Sequence, residues 1–211
     1  SATLHMTDDV TLSILTGMHV GSDPAVGTGT VNQAAGLIDV GDSLTVNTKD
    51  TYNLTGGDLS VDGHATVKGE LNIDGGTFTL NNNNENISGA GVMKLQSGSF
   101  SGSADSSNGQ GLQSHIEISG GTFSWLSQVQ CTGDAEITVD GDAASITMRH
   151  IQTTDAYGSF ALTLNYDLNE TGVSTITNTS WMFLQNTTIN VNGSAYTGGS
   201  KDIDLIDGAT I

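Results

Sequence analysis

Positive charge is scarce in this chain: 5 Lys and Arg stand against 23 Asp and Glu, for a formal net charge of -18. A field of that sign repels phosphate backbones and anionic lipid surfaces, so neither nucleic acid nor a charged membrane is expected as a partner. Cys131 is the only cysteine, which excludes an intrachain disulfide and a multi-cysteine metal centre and predicts a packed, idle thiol. The one proline, Pro24, excludes a Pro-rich linker. No apolar run approaches the ~20 residues that span a bilayer, so membrane insertion is not expected. No signal peptide is read in the sequence. Aromatic residues are few, at 5%, and charged residues make up only 13%, a composition that by itself would suit disorder. Disorder is excluded by the apolar residues, 36% of the chain, because they alternate with polar ones.

Helical signals are missing too: no stretch keeps a 3.6-residue apolar period between caps. What the chain has in quantity is glycine, 28 residues, set among short alternating segments. Aligning on the glycines exposes a repeat. Leu59-Ser-Val61 is followed by Leu71-Asn-Ile73-Asp-Gly-Gly-Thr-Phe78-Thr-Leu80 and by Met93-Lys-Leu95-Gln-Ser-Gly-Ser-Phe100. Then come Ile116-Glu-Ile118-Ser-Gly-Gly-Thr-Phe123-Ser-Trp125 and Ile137-Thr-Val139-Asp-Gly-Asp. The second turn glycines, Gly57, Gly76, Gly98, Gly121 and Gly141, are 19, 22, 23 and 20 residues apart.

A period near 20 residues is one coil of a β-solenoid, and the expected fold is a single-stranded right-handed parallel β-helix. Alternation puts Leu71, Ile73, Phe78 and Leu80 inward and Glu70, Asn72 and Thr79 outward. A β-sandwich or barrel is the structural alternative, but neither explains a motif that returns at coil length with its glycines in constant phase. The whole chain, 1–211, reads as one domain, with 1–30 as N-terminal cap or first coil and 158–211 as last coils and C-terminal cap. The runs at Asn81–Asn84 and Gly102–Gly111 read as loops. The apolar Trp181-Met-Phe-Leu184 is expected to be covered by the tail from Tyr196 to Gly208, which favours a monomer over a dimer.

The units Gly27-Thr-Gly-Thr-Val-Asn-Gln33, Gly41-Asp-Ser-Leu-Thr-Val46 and Thr51-Tyr-Asn-Leu-Thr-Gly-Gly-Asp-Leu-Ser-Val61 resemble the repeats of secreted bacterial β-helix proteins. These are the autotransporter-associated β-strand repeat proteins and exported proteins of the PEP-CTERM type. The resemblance covers about residues 27–100, and 187–208 less closely. It implies a solenoid fold, export and a place at the cell surface, and no reaction.

Other parallel β-helices cleave polysaccharides, so carboxylates at compatible phases are candidates for that chemistry. Glu117 and Glu136 face outward on successive repeats and are the candidate catalytic pair for a glycosidase; their ordinary role would be that of solvated surface acids. Asp140-Gly-Asp142 offers oxygen ligands at a turn, which makes Asp140 and Asp142 the candidate Ca²⁺ ligands; turn aspartates need no such role. No other cofactor is implied. The cations Lys49, Lys68, Lys94, Arg149 and Lys201 fall at different phases of the coil, which disfavours a lyase base set among calcium-binding acids.

His5, His19, His64, His115 and His150 show no ligand spacing, and no G-x-S-x-G occurs. Trp125 and Trp181 read as core or cap. A Thr array suited to ice is disfavoured because Thr28, Thr77, Thr175 and Thr177 hold no common phase. The expected role is therefore a non-enzymatic, extracellular or cell-surface structural or adhesive module. The alternative is a polysaccharide-binding or polysaccharide-degrading β-helix, with extracellular polysaccharide or another surface protein as partner.

Overall fold

The computed structural model describes the chain apart from residues 23–26, 82–85, 103–109, 141–143, 153–159, 169–174, 179–181, 185–186, 194–202 and 206–211. Every regular element among the described residues is a β-strand, and every pairing is parallel and joins one coil to the next. The molecule is a β-solenoid. Residues 2–20 supply one strand to each of three stacks, namely Ala2–Met6, Thr11–Ile14 and Met18–Val20.

The first stack runs from Ala2–Met6 through Gly29–Gln33 and Thr51–Leu54 to 70–73, 92–95 and 115–118. It continues through Ala135–Asp140 and Leu162–Leu168 to Thr187–Gly193. The second joins Thr11–Ile14, Leu37–Val40 and Asp58–Val61 to 77–80, 99–102 and 122–125, then to 145–148 and Thr175–Asn178. The third begins with Met18–Val20, Leu44–Val46 and Ala65–Val67. Coil length varies from 19 residues, between Thr51 and its partner Glu70, to 31, between Ile151 and its partner Met182.

Alternation decides what fills the interior. Val31, Tyr52, Leu71, Met93, Ile116, Ile137 and Leu164 form one inward column, all buried. Each such side chain contributes about 1.5–3 kcal/mol by leaving water. In the second stack Phe78, Phe100 and Phe123 lie one above another as the repeat predicts, with ring centroids 5.4 and 4.8 Å apart. Trp125 is fully buried and meets Phe100 edge-on at 5.7 Å. Gly102 makes room for it, since a β-carbon there would lie 2.9 Å from the indole Cδ1. A polar residue also sits in the interior: Gln33 accepts a hydrogen bond from the Tyr52 hydroxyl at 2.5 Å and donates to Asp58 O at 2.8 Å. Burial pushes the Tyr52 phenol well above its ordinary value.

The corner between the first and second stacks needs a left-handed residue, and glycine fills it in successive coils. Gly57, Gly76, Gly98 and Gly121 have φ of 74, 70, 80 and 75°. There is also no space for more: a β-carbon on Gly98 would lie 2.4 Å from Gly76 O. Gly141, the fifth member of the series, lies outside the described residues. So do 82–84, 103–109, Trp181 and most of the tail from Tyr196 to Gly208.

Outward positions on the first stack form a ladder. The Asn53 amide donates to Asn32 Oδ1 at 2.8 Å, and Asn72 donates to Asn53 Oδ1 at 2.9 Å. The pattern returns where Asn190 donates to Asn165 Oδ1 at 2.7 Å. An amide both donates and accepts, so identical residues one coil apart satisfy each other without limit. On the second stack Thr77 and Thr79 pair with Ser99 and Ser101, then with Thr122 and Ser124, Ser145 and Thr147, and Thr175 and Thr177. Three of the threonines expected to lack a common phase, Thr77, Thr175 and Thr177, therefore fall at corresponding register positions of one stack. Serines in the intervening coils hide the regularity when threonine alone is counted.

Candidate functional site

The outward face of the first stack gathers most of the candidate chemistry. Its two outward columns read Thr51, Glu70, Val92, His115, Glu136, Thr163 and, beside it, Asn53, Asn72, Lys94, Glu117, Thr138, Asn165. Glu117 and Glu136 do both point outward on successive coils, as alternation requires, but they stand in different columns. Glu117 pairs with Thr138, and Glu136 pairs with His115. The imidazole lies between the two acids: His115 Nε2 is 3.7 Å from Glu117 Oε1 and 4.0 Å from Glu136 Oε2. All three side chains are about two-fifths exposed, so a protonated His115 gains under about 1 kcal/mol from either contact.

Glu136 is further held by its neighbours, since Oε1 accepts from Asn165 Nδ2 at 2.7 Å and from Thr138 Oγ1 at 3.3 Å. Lys94 lies beside Glu117 in the ladder and directs its ammonium to Glu70 Oε1 at 3.6 Å. The importance of His115 was readable in the repeat: aligning Ile116-Glu-Ile118 with Ile137-Thr-Val139 puts His115 opposite Glu136.

Along the corner that enters the first stack runs a shallow groove. It comprises adjoining depressions of about 480, 350 and 540 Å³ that share Ala90. The groove exists because the corner is built from backbone. A β-carbon on Gly69 would lie 2.2 Å from Asp50 O, and one on Gly91 would lie 2.1 Å from Gly69 O. Lys49, Lys68 and His115 line one depression; Asp134 and Glu136 line the next. The expectation that the lysines scatter is corrected here for Lys49 and Lys68. The corner contracts from 47–50 in one coil to 68–69 in the next, so a phase counted from the glycines misplaces them.

The carboxyl group of Asp50 anchors this corner from inside. Asp50 is 1% exposed; Oδ1 accepts the Gly29 N–H at 2.6 Å, while Oδ2 has no hydrogen-bond partner.

The other candidates stand apart. Asp140 ends the strand Ala135–Asp140, its side chain lies outside the described residues, and Asp142 lies outside them altogether. The side chains of Arg149 and His150 are outside them as well. Cys131 is buried, and burial pushes its thiol up to about 12, which leaves it a poor nucleophile at neutral pH. Among the described residues no three His, Cys, Asp or Glu side chains come together as metal ligands, and no helix is long and apolar enough to cross a membrane.

Comparison with protein-family models, with curated proteins and with solved structures gave no match.

Proposed function

We infer that this chain is a non-enzymatic structural or adhesive module that works outside the cell or on its surface. The observation that carries the reading is where the repetition falls. Residues that recur from coil to coil are the inward columns, the corner glycines and the outward asparagine ladder, and each of them is spent on holding one coil to the next. The carboxylate pair supports the same reading. An inverting glycosidase keeps water between its two carboxyls, whereas the space between Glu117 and Glu136 holds the His115 imidazole. The placement outside the cell follows from the resemblance of the repeat units to those of exported β-helix proteins.

Turnover measurements on neutral and acidic polysaccharides, with and without Ca²⁺, test this. No product is expected. Product formation that disappears in both Glu117→Gln and Glu136→Gln would overturn the non-enzymatic reading.

A second reading, polysaccharide binding without cleavage, is favoured by the groove over Ala90. It is open to solvent, and it is lined by charged side chains together with glycine and alanine. Retention of the full chain on immobilised polysaccharide is the measurement that separates a bare scaffold from a binding module.

A further inference from the structure

One residue beside the groove breaks the rule that the rest of the chain keeps. Among the described residues eight glycines have positive φ, and the only other residue that does is Lys49, at 71°. A β-carbon is strained in that region, and every other such position meets the demand with glycine. The turn does not call for a lysine side chain. It is closed by Asp50 N donating to Asn47 O at 3.0 Å and pinned by Asp50 Oδ1 on the Gly29 N–H at 2.6 Å. Strain kept at one position by a fold that elsewhere avoids it points to a use for the side chain that occupies it.

The surroundings say what that use is. Lys49 and Lys68, two of only 5 Lys and Arg in the chain, line the same depression, together with Glu70, whose carboxylate faces the Lys94 ammonium at 3.6 Å, and the buried Asp50, which is pinned on the Gly29 N–H. The floor at Gly69, Ala90 and Gly91 lets a ligand approach the backbone closely. In the adjoining depression Asp134 and Glu136 present acceptors suited to hydroxyl donors. One end of the groove therefore recognises an anion and the other a polyol. The net charge of -18 does not override this, because at physiological salt the screening length is about 8 Å and local contacts dominate.

We propose that the groove binds an acidic polysaccharide, with a sugar carboxylate on Lys49 and Lys68 and hydroxyls of the neighbouring unit donating to Asp134 and Glu136. The proposal deepens the polysaccharide-binding reading and rests on it.

Calorimetric titration of the full chain with oligogalacturonate, and with a neutral galactan oligosaccharide of equal length, provides the test. Oligogalacturonate is expected to bind, more weakly as salt is added, while the neutral oligosaccharide binds at least about tenfold more weakly. The decisive variant is Lys49→Gly. It removes the strain, so its melting temperature is expected to equal or exceed that of the parent, yet its affinity for oligogalacturonate is expected to fall about tenfold. Lys68→Gln is expected to weaken binding likewise.

Unchanged affinity in Lys49→Gly would overturn the groove assignment, and a lowered melting temperature would overturn the premise that Lys49 is held against the interest of the fold. Equal binding of the neutral oligosaccharide would overturn the acidic ligand while leaving the polysaccharide-binding reading in place. Binding of neither would remove both.

Discussion

Replacing Phe100 by Ala tests the interior most severely. Its ring is fully buried and touches three others, at centroid distances of 5.4 Å to Phe78, 4.8 Å to Phe123 and 5.7 Å to Trp125. Truncating a buried phenylalanine costs about 3–5 kcal/mol through lost transfer energy and the cavity left behind. Favourable ring pairs add about 0.5–1.5 kcal/mol each where they are formed. Phe100 therefore belongs at the top of the range, near 5 kcal/mol. Phe78 is equally buried but stacks on Phe100 alone, so Phe78→Ala is expected at the lower end, near 3 kcal/mol. Urea unfolding followed by circular dichroism, with both variants compared at equal denaturant slope, measures the two losses. A loss for Phe100→Ala below about 1 kcal/mol would mean that the ring lies on the surface. A larger loss for Phe78→Ala than for Phe100→Ala would refute the argument from ring contacts.

Other perturbations address the remaining parts of the coil. Asn53→Ala removes both a donor to Asn32 and an acceptor for Asn72, and is expected to lower stability by about 1–2 kcal/mol in the same unfolding assay. Gly98→Ala meets a left-handed backbone and a carbonyl 2.4 Å from the new β-carbon, so its melting temperature is expected to fall by more than the ~1 kcal/mol of an ordinary Gly→Ala exchange implies. Burial raises the Cys131 thiol in the folded chain to about 12 from an ordinary value near 9. Above the ordinary value the unfolded chain releases a proton that the folded chain keeps, so stability is lost as pH rises. The loss from this group is expected to reach at most ~1.4 kcal/mol per pH unit and to be reduced in Cys131→Ala over pH 9–10, where the buried Tyr52 phenol still contributes a smaller loss of the same sign, as unfolding at stepped pH would reveal.

Most of the coil was legible because its causes are local. Phe78, Phe100 and Phe123 could be superimposed from sequence since each follows its glycine corner at the same short distance, and the structure stacks them. The corner glycines were legible for the same reason: the left-handed backbone they adopt leaves few other residues a place there.

The site was less readable. That Glu117 and Glu136 face outward follows from alternation alone, but the column each occupies emerges only when the repeats are aligned residue by residue, Ile116 on Ile137, which places His115 opposite Glu136. The groove could not be read at all. It arises from a change in corner length between 47–50 and 68–69 and from a left-handed lysine, and sequence rules assign that conformation to Gly or Asn.

The central claim is that successive repeats stack as parallel strands in register, and cysteine trapping tests it most directly. In a Cys131→Ala background, Thr77→Cys with Ser99→Cys places thiols on two register partners whose hydroxyls already meet, with Cα atoms one strand spacing, about 4.8 Å, apart and so inside the range a disulfide spans. Thr66→Cys with Ser99→Cys places them on different faces. Rapid, complete oxidation of the first pair and none of the second is the outcome that a solenoid of stacked coils requires. Failure of the first pair to close, or closure of the second, would contradict it.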